Sequence, residues 1–219
     1  MNKKRKKEIK ITDIKNSHEL NAYEDILDYK VNNIVATAKI DLTGKLDLVK
    51  IARKLHDAEY HPERFPGVIF RQDNPRATFL IFSTGKMVVT GLEFIQDTEK
   101  AVSKLLKKLK KLGIKSSDLE ITIQNIVASG DMHILINLNK AVLLMEFVMY
   151  EPEVFPGLIY NMKDPRAVFL LFSTGKFVCT GVRKEKILRK AILKLKREIN
   201  SMDVTSEKVI EDEFELTFL

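Results

Sequence analysis

The chain has 219 residues, a formal net charge of +7, a sequence pI of about 9.3 and 45% hydrophobic residues. These values are typical of a globular protein with its own core, and no apolar run approaches the length of a membrane span. The single cysteine, Cys179, excludes an intrachain disulfide and favours a reducing, intracellular setting. The start, MNKKRKKEIK, lacks the apolar region of a secretory signal.

Residues 1–30 form a basic N-terminal extension that has no counterpart elsewhere in the chain. Six of the first ten residues are Lys or Arg. A basic arm of this kind can add nonspecific affinity for phosphate backbones. The pattern is equally typical of a solvated tail, and both interpretations stay open.

The first half, residues 31–113, is predicted to run strand, helix, three strands, long helix. Alternating residues predict a strand over 31–40, and apolar residues at helical spacing predict a helix over 46–58. Three short strands follow over 67–71, 77–82 and 86–90, with turn residues between them. A helix over 97–112 carries an apolar stripe and ends before Gly113.

The second half, residues 121–200, repeats the first. Residues 65–92 read FPGVIFRQDNPRATFLIFSTGKMVVTGL, and residues 155–182 read FPGLIYNMKDPRAVFLLFSTGKFVCTGV, with 17 of the 28 aligned positions identical. Upstream, the NIVA of residues 33–36 recurs at 125–128, and a long helix is predicted over 184–200. Residues 201–219 form an acidic tail. Two similar halves make a pseudo-two-fold object, and duplex DNA is the commonest target of that symmetry.

The predicted strands are apolar on both faces. A sheet with one solvated face should alternate apolar and polar residues. In the strand at 77–82, however, Phe79 and Ile81 point one way while Leu80 and Phe82 point the other. Two helices per half can cover one face only, so we expect the other face to be exposed for a partner.

This exposed face has the chemistry of a minor-groove binder. Its predicted floor carries small apolar residues and no acid, with an asparagine from each half that can donate to groove acceptors. Phenylalanines lie near the strand ends, and cations such as Lys86 and Lys176 lie at the rim. Such a surface fits the floor of an A·T-rich minor groove.

The quoted blocks, the two NIV segments and the YEPE of residues 150–153 together resemble the TATA-box-binding protein family of the archaeal kind, over residues 31–199. The resemblance implies an α+β saddle, in which two pseudo-symmetric repeats share one curved antiparallel sheet with the helices on the convex face. It also implies a general transcription initiation factor that binds the TATA box through the minor groove, bends the promoter and recruits other factors.

The resemblance assigns roles to particular residues. The family's DNA-kinking residues, which are phenylalanines, correspond to Phe65, Phe82, Phe155 and Phe172. Those that contact the minor groove correspond to Asn33, Val35, Leu80, Val88, Thr90, Asn125, Val127, Leu170, Val178 and Thr180. Those that contact phosphates correspond to Arg71, Lys86 and Lys176. Those that contact transcription factor B correspond to Glu151, Glu153 and Val154.

The implied partners are promoter DNA, transcription factor B and the RNA polymerase pre-initiation complex. No cofactor, metal or membrane is expected, and the protein would act in the cytoplasm, at the nucleoid of a cell without a nucleus. An exposed apolar face also favours a homodimer of the free protein. One departure stands out, because Asn161 occupies a position where the family usually carries Arg.

Two alternatives to this function stay open. A divergent paralogue that acts mainly as a protein-interaction or regulatory factor would account for Asn161 and for the unusual stretch over 130–149. A nucleic-acid enzyme built on a related sheet is the other alternative. It is disfavoured because the predicted sheet has no carboxylate cluster and the four histidines are scattered without metal-ligand spacing.

Overall fold

The computed structural model describes residues 27–114 and 118–207. The helices in these ranges are α1 (Leu48–Lys54), α2 (Gln96–Lys111), α3 (Leu138–Leu144) and α4 (Glu185–Ser201). The strands are β1 (Asp28–Ile40), β2 (Ala58–Glu59), β3 (Val68–Asp73), β4 (Arg76–Ile81), β5 (Lys86–Leu92), β6 (Leu119–Asp131), β7 (Ile134–Ile136), β8 (Val148–Met149), β9 (Leu158–Met162), β10 (Ala167–Leu171), β11 (Lys176–Val182) and β12 (Thr205–Glu207).

Ten of these strands form one sheet in the order β2-β3-β4-β5-β1-β6-β11-β10-β9-β8, and every pairing is antiparallel. β7 and β12 form a separate two-stranded sheet. The halves meet where β1 pairs with β6, and there Ile34 lies opposite Ile126. These two residues are counterparts in the repeat, so the pseudo-two-fold axis passes between them.

The helices begin at matched signals and cover one face of the sheet. The side chain of Asp47 caps α1 by accepting from the N–H of Lys50 at 2.9 Å, and Asn137 caps α3 by accepting from Lys140 at 3.0 Å. The long helices α2 and α4 bury apolar stripes that contain Leu105 and Leu195. Each half thus has a hydrophobic core of its own.

Burial alternates along the strands and distinguishes the two faces. Ile34, Ala36 and Phe79 are buried under the helices, whereas Val35 and Leu80, one residue along, are only half-buried. The structure therefore confirms the predicted fold class, with one antiparallel sheet and helices on a single face. The other face, hereafter the open face, consists of Asn33, Val35, Thr37, Thr78, Leu80, Val88 and Thr90 with their counterparts Asn125, Val127, Ser129, Val168, Leu170, Val178 and Thr180.

Bulges at equivalent places shape the centre of the sheet. The β1–β6 register shifts at Asn32 and again at Gln124, which are counterparts in the two halves. The pairings of β5 with β1 and of β11 with β6 also shift, close to Gly91 and Gly181, which have φ of +87° and +82°. Bulges with a glycine in this conformation bend a strand and increase its twist, which is the distortion that a saddle requires.

Some predicted boundaries were wrong. β1 begins at Asp28, so residues 28–30, predicted to belong to the extension, are part of the sheet. α1 is shorter than the predicted 46–58, because Leu55 is already extended, Asp57 has φ of +64° and Ala58 pairs with β3. Within the predicted acidic tail of residues 201–219, β12 pairs with β7. Residues 1–26 and 208–219 lie outside the described residues.

None of the helices within 27–114 and 118–207 combines the length and apolar character that a bilayer crossing requires.

Cys179 gives a test of the packing. It lies fully buried in β11, and burial raises the pKa of its thiol to about 12. Because the thiolate is the reactive form, we expect no reaction of the native protein with Ellman's reagent at pH 8 and one equivalent after denaturation. Rapid reaction of the native protein would contradict the position of β11 in the core.

Candidate nucleic-acid interface

The floor of the open face is built from residue pairs that face each other across strands. In the first half Leu80 lies opposite Val88, which in turn lies opposite Thr37. In the second half the counterpart series is Leu170, Val178 and Ser129. All six side chains are partly exposed. The floor is thus smooth, chiefly apolar and repeated about the axis between the halves.

Two asparagines lie at the centre of this floor, each held by a glycine bulge. The N–H of Gly91 donates to Oδ1 of Asn33 at 2.8 Å, and the hydroxyl of Thr90 donates to the same oxygen at 3.1 Å. The N–H of Gly181 donates to Oδ1 of Asn125 at 2.9 Å. A backbone N–H can only donate, so these contacts fix the amide orientation in both halves.

The fixed orientation makes the amide nitrogens the available groups. Nδ2 of Asn125 lies 3.0 Å from Oγ1 of Thr180, which leaves one of its two hydrogens for another acceptor. For Nδ2 of Asn33, the described part of the chain provides no hydrogen-bond partner. The centre of the open face therefore presents N–H donors on an apolar floor, which is the pattern expected of a reader of minor-groove acceptors.

Phenylalanine pairs lie at the two ends of the open face. The rings of Phe65 and Phe82 meet edge to face with centroids 5.7 Å apart, and those of Phe155 and Phe172 do the same at 5.9 Å. All four rings are partly exposed rather than buried in the cores. The arrangement matches the positions predicted for kinking residues, although the kinking itself stays a prediction.

The glycine of each FPG segment makes room for these rings. A Cβ added to Gly67 would lie 2.8 Å from Cε1 of Phe65 and 3.2 Å from Cε1 of Phe82. At Gly157 the corresponding distances, to Phe155 and Phe172, are 2.6 and 3.1 Å. At the shorter of these separations the ring of Phe65 or Phe155 would have to shift, so glycine leaves the space in which the ring pair adopts its position.

A depression lies beside each phenylalanine pair, and charged residues line both. The first, of about 670 Å³, contains Lys39, Lys86 and Glu120. The second, of about 790 Å³, is lined by residues that include Lys30, Lys176, Asp28 and Asp131. The predicted cations Lys86 and Lys176 are thus at the rim as expected, but they are accompanied by acids that the prediction did not include.

The acids of the second depression surround His133. Its Nε2 lies 2.8 Å from Oδ2 of Asp28, and its backbone N–H donates to Oδ1 of Asp131 at 2.7 Å. Asp28 and Asp131 are also directly opposite in the β1–β6 ladder. The outer end of the open face is therefore less positive in the second half than in the first.

The third predicted phosphate contact, Arg71, is engaged within the chain. Its Nη1 lies 2.6 Å from Oε1 of Glu59, and both side chains are about half exposed. In the second half Asn161 replaces this arginine and Met149 replaces this glutamate. The whole ion pair is therefore absent there.

The outer edge of the second half is apolar where that of the first half is charged. Leu143 is 82% exposed and Val154 is 80% exposed. The exposed apolar residues of this edge are Leu143, Leu144, Phe147, Met149 and Val154, and their first-half counterparts are Arg53, Lys54, Asp57, Glu59 and Arg64. The edges, unlike the floor, thus distinguish the halves.

The predicted factor-binding loop adjoins this apolar edge. The carbonyl of Glu151 accepts from the N–H groups of Val154 and Phe155, both at 2.9 Å, which turns the chain back into β9. Glu151, Glu153 and Val154 all point into solvent. At the equivalent first-half turn, Nδ1 of His61 lies 3.6 Å from a carboxylate oxygen of Glu63.

Sequence reasoning missed several residues of the site. Thr37, Lys39 and Ser129 continue the alternation of the NIV segments and could have been found by extending it. Lys30 and Asp28 were missed because they were taken for part of the extension. Across the described ranges, no three His, Cys, Asp or Glu side chains come together in a way that could hold a metal ion.

Comparison with known proteins places the whole repeat in one family. The family described as "Transcription factor TFIID (or TATA-binding protein, TBP)" matches residues 28–112 and 120–202. The TATA-box-binding protein of Sulfolobus acidocaldarius is 46% identical over 199 residues, which cover 89% of this chain and 98% of that protein. That of Pyrobaculum aerophilum is 49% identical over 177 residues, covering 80% and 88%. The solved structure of Methanococcus jannaschii TBP superposes with a TM-score of 0.73 at 40% identity, covering 80% of this chain and 99% of the other.

The role of the FPG glycine can be tested by Gly67→Ala. We expect the added methyl group to displace the Phe65–Phe82 pair and to lower the free energy of unfolding by about 1–3 kcal/mol, as overpacking does. Denaturant unfolding and the NMR contacts between the two rings would measure both effects. Gly44→Ala is the control, because no atom lies within 4 Å of a Cβ there. Equal stability and unchanged ring contacts in both variants would contradict the role of Gly67.

Proposed function

Because this chain belongs to the TATA-binding protein family, a family of general transcription initiation factors, we propose that its open face binds the minor groove of a TATA element and bends the promoter. It is accordingly a DNA-binding transcription factor and not an enzyme. The observation that carries the proposal is the apolar floor with its two fixed asparagines, because few targets other than a minor groove offer acceptors on a narrow, nearly two-fold surface.

The floor would select A·T pairs in two ways. Its amide N–H groups would donate to groove acceptors, and its apolar side chains offer no acceptor to a guanine amino group. An A·T minor groove presents acceptors and no guanine amino group, so close contact of Val88, Val178 and their neighbours is sterically allowed. A guanine amino group would meet apolar side chains and lose its hydrogen bonds to water. The amides of Asn33 and Asn125 would donate to the central acceptors.

The phenylalanine pairs would act as wedges at the ends of the bound segment. Apolar side chains that enter a base step unstack it and kink the duplex, a mechanism for which this family is a standard example. Each pair is already assembled in the free chain, so little conformational entropy is lost on binding. Lys86 and Lys176 would then hold phosphates, as would Arg71 after exchanging Glu59 for a phosphate oxygen.

Protein partners would be recruited through the second half. Transcription factor B is expected at Glu151, Glu153 and Val154, and RNA polymerase would join the assembled promoter complex at the nucleoid. The exposed apolar edge beside this loop supports a protein contact on that side. It also keeps the alternative of a paralogue that acts mainly through proteins.

The wedge assignment is tested with Phe82→Ala and Phe172→Ala. We expect each change to reduce the bend of a TATA duplex in a fluorescence-transfer assay and to weaken binding about tenfold, equivalent to about 1.4 kcal/mol. Phe94→Ala is the matched control, because Phe94 is exposed but lies outside the open face. A duplex with G·C substitutions, titrated at two salt concentrations, measures selectivity. Unchanged bending in both test variants would refute the wedges.

The factor contact is tested with Glu151→Arg and Glu153→Arg. We expect transcription factor B to bind the variant–DNA complex at least about tenfold more weakly, while binding to DNA itself is unchanged. Glu63→Arg, at the equivalent first-half loop, is the control and should have no effect on factor binding. Loss of factor binding in the control alone would reverse the assignment of the halves. Weak DNA binding together with strong factor binding by the unmodified chain would favour the paralogue.

A further inference from the structure

At the outer end of the first half, three charged residues form a row across neighbouring strands of the open face. Lys39 of β1 lies opposite Lys86 of β5 on one side and opposite Glu120 of β6 on the other. Residues that are directly paired share a face of the sheet, and all three line the depression beside Phe82. These three residues are hereafter the first outer row.

The equivalent row of the second half has the opposite balance of charge. Asp131 of β6 is the counterpart of Lys39, and it lies opposite Lys176 of β11 and opposite Asp28 of β1. The first outer row thus has two lysines and one acid, whereas this second outer row has one lysine and two acids. The difference at the centre of the rows is a lysine in one half and an aspartate in the other.

We propose that Lys39 binds a backbone phosphate at the first-half end of the bound DNA, and that the second-half end has no equivalent contact because Asp131 takes the place of the lysine. The inference rests on the proposed function, because it concerns DNA bound to the open face. The resemblance assigns no role to Lys39, and the contact would make the two ends of a nearly symmetric interface unequal.

Lys39 is placed to act together with Lys86. Opposite residues of an antiparallel pair have Cα atoms about 5 Å apart. Successive phosphates of one DNA strand advance about 3.4 Å along the duplex axis, so two adjacent lysines can reach neighbouring phosphates. Both lysines line a depression of about 670 Å³ that also contains Phe82, Ser83 and Thr84. A duplex kinked at Phe82 would lead its backbone past this depression.

Lys39 has an exposed partner in the free chain. Its Nζ lies 3.3 Å from Oδ1 of Asp41, and the two side chains are 53% and 57% exposed. An ion pair as exposed as this one contributes little to stability and is screened by salt. Lys39 can therefore exchange Asp41 for a phosphate oxygen, as Arg71 would exchange Glu59.

The acids of the second outer row are held in place by His133. Its Nε2 lies 2.8 Å from Oδ2 of Asp28, and its backbone N–H donates to Oδ1 of Asp131 at 2.7 Å. Two carboxylates on adjacent strands repel a phosphate that approaches this end. Lys30, opposite Ser129, supplies a cation one row closer to the centre. The DNA backbone would therefore be held further from the centre at the first-half end than at the second-half end.

The salt dependence of DNA binding tests the contact of Lys39. Each neutralised phosphate releases condensed counterions, so the loss of one contact changes the slope of log K against log[salt] by about 0.9. We expect Lys39→Ala to make the slope for a TATA duplex shallower by this amount. Lys107→Ala is the matched control, because Lys107 is exposed on α2, which covers the opposite face of the sheet. An unchanged slope in Lys39→Ala, or an equal change in the control, would overturn the proposal.

The second-half end is tested with Asp131→Asn. The amide keeps an oxygen for the N–H of His133 and removes the negative charge. A unit charge about 8 Å from a phosphate in water changes affinity by a factor of about two, so we expect binding to a TATA duplex to strengthen about twofold at low salt. Glu99→Gln, on the exposed side of α2, should leave the affinity unchanged. Unchanged or weaker binding by Asp131→Asn would contradict the repulsion at this end.

The inference and the proposed function fail in different ways. Selective binding of a TATA duplex by the unmodified chain, with an unchanged slope in Lys39→Ala, would overturn the inference and leave the proposed function intact. Equal binding of TATA and G·C duplexes by the unmodified chain would refute the proposed function, and the inference would fall with it.

Discussion

The pairing of β1 with β6 is the contact on which the rest of the structure depends. It joins two half-sheets into one and sets Ile34 against its own counterpart, Ile126. This pairing brings Asn33 and Asn125 to the centre of a single surface, because each asparagine lies opposite a valine of the other half. A one-residue slip of β1 against β6 would turn the floor residues of the slipped strand towards the core and its core residues towards solvent. The bulges at Asn32 and Gln124 correct the register on both sides of the axis, and they also supply the twist that a saddle needs.

Each half is stabilised by a hydrophobic core of its own, so the fold does not require the open face to be buried. The first half buries Phe70 and Phe79 under α1 and α2, and the second buries Phe169 and Phe177 under α3 and α4. Neither core draws on the open face, so residues there can be chosen for a partner rather than for stability. Burial of apolar area gives roughly 25 cal/mol per Å², and on the open face this contribution is realised only when a partner arrives. Burial of the floor therefore contributes to the free energy of binding and not to the free energy of folding.

The position of the floor could be predicted from the sequence because two independent signals agreed there. The strands were apolar on both faces, which indicated an exposed apolar surface, and the repeat showed each floor position twice.

Other features could not be predicted from the sequence. The αL residue Asp57 shortens α1 through tertiary pairing of Ala58 with β3, which helical spacing does not reveal. The bond from Gly91 to Asn33 joins residues 58 apart; a glycine inside a strand indicates a bulge, but not the side chain to which its N–H will donate. The Glu59–Arg71 pair and the acids around His133 likewise arise from strand register, while residues 28–30 were lost to an incorrect boundary.

The two halves share most residues of the open face but differ at the outer edges of the sheet. Floor, asparagines, glycines and phenylalanine pairs recur in both halves, so the surface that would meet DNA can hardly tell one direction along a duplex from the other. The outer edge differs at every exposed position compared above, with charged Arg53 and Glu59 against apolar Leu143 and Met149. The ends of the open face differ too, because Asp28 and Asp131 lie at one end only. The described surface therefore differs between the halves chiefly at its edges and ends rather than at its floor. A floor that is nearly the same in both halves and edges that differ place different demands on the sequence. The repeat meets both because the backbone is shared and only the edge side chains diverge.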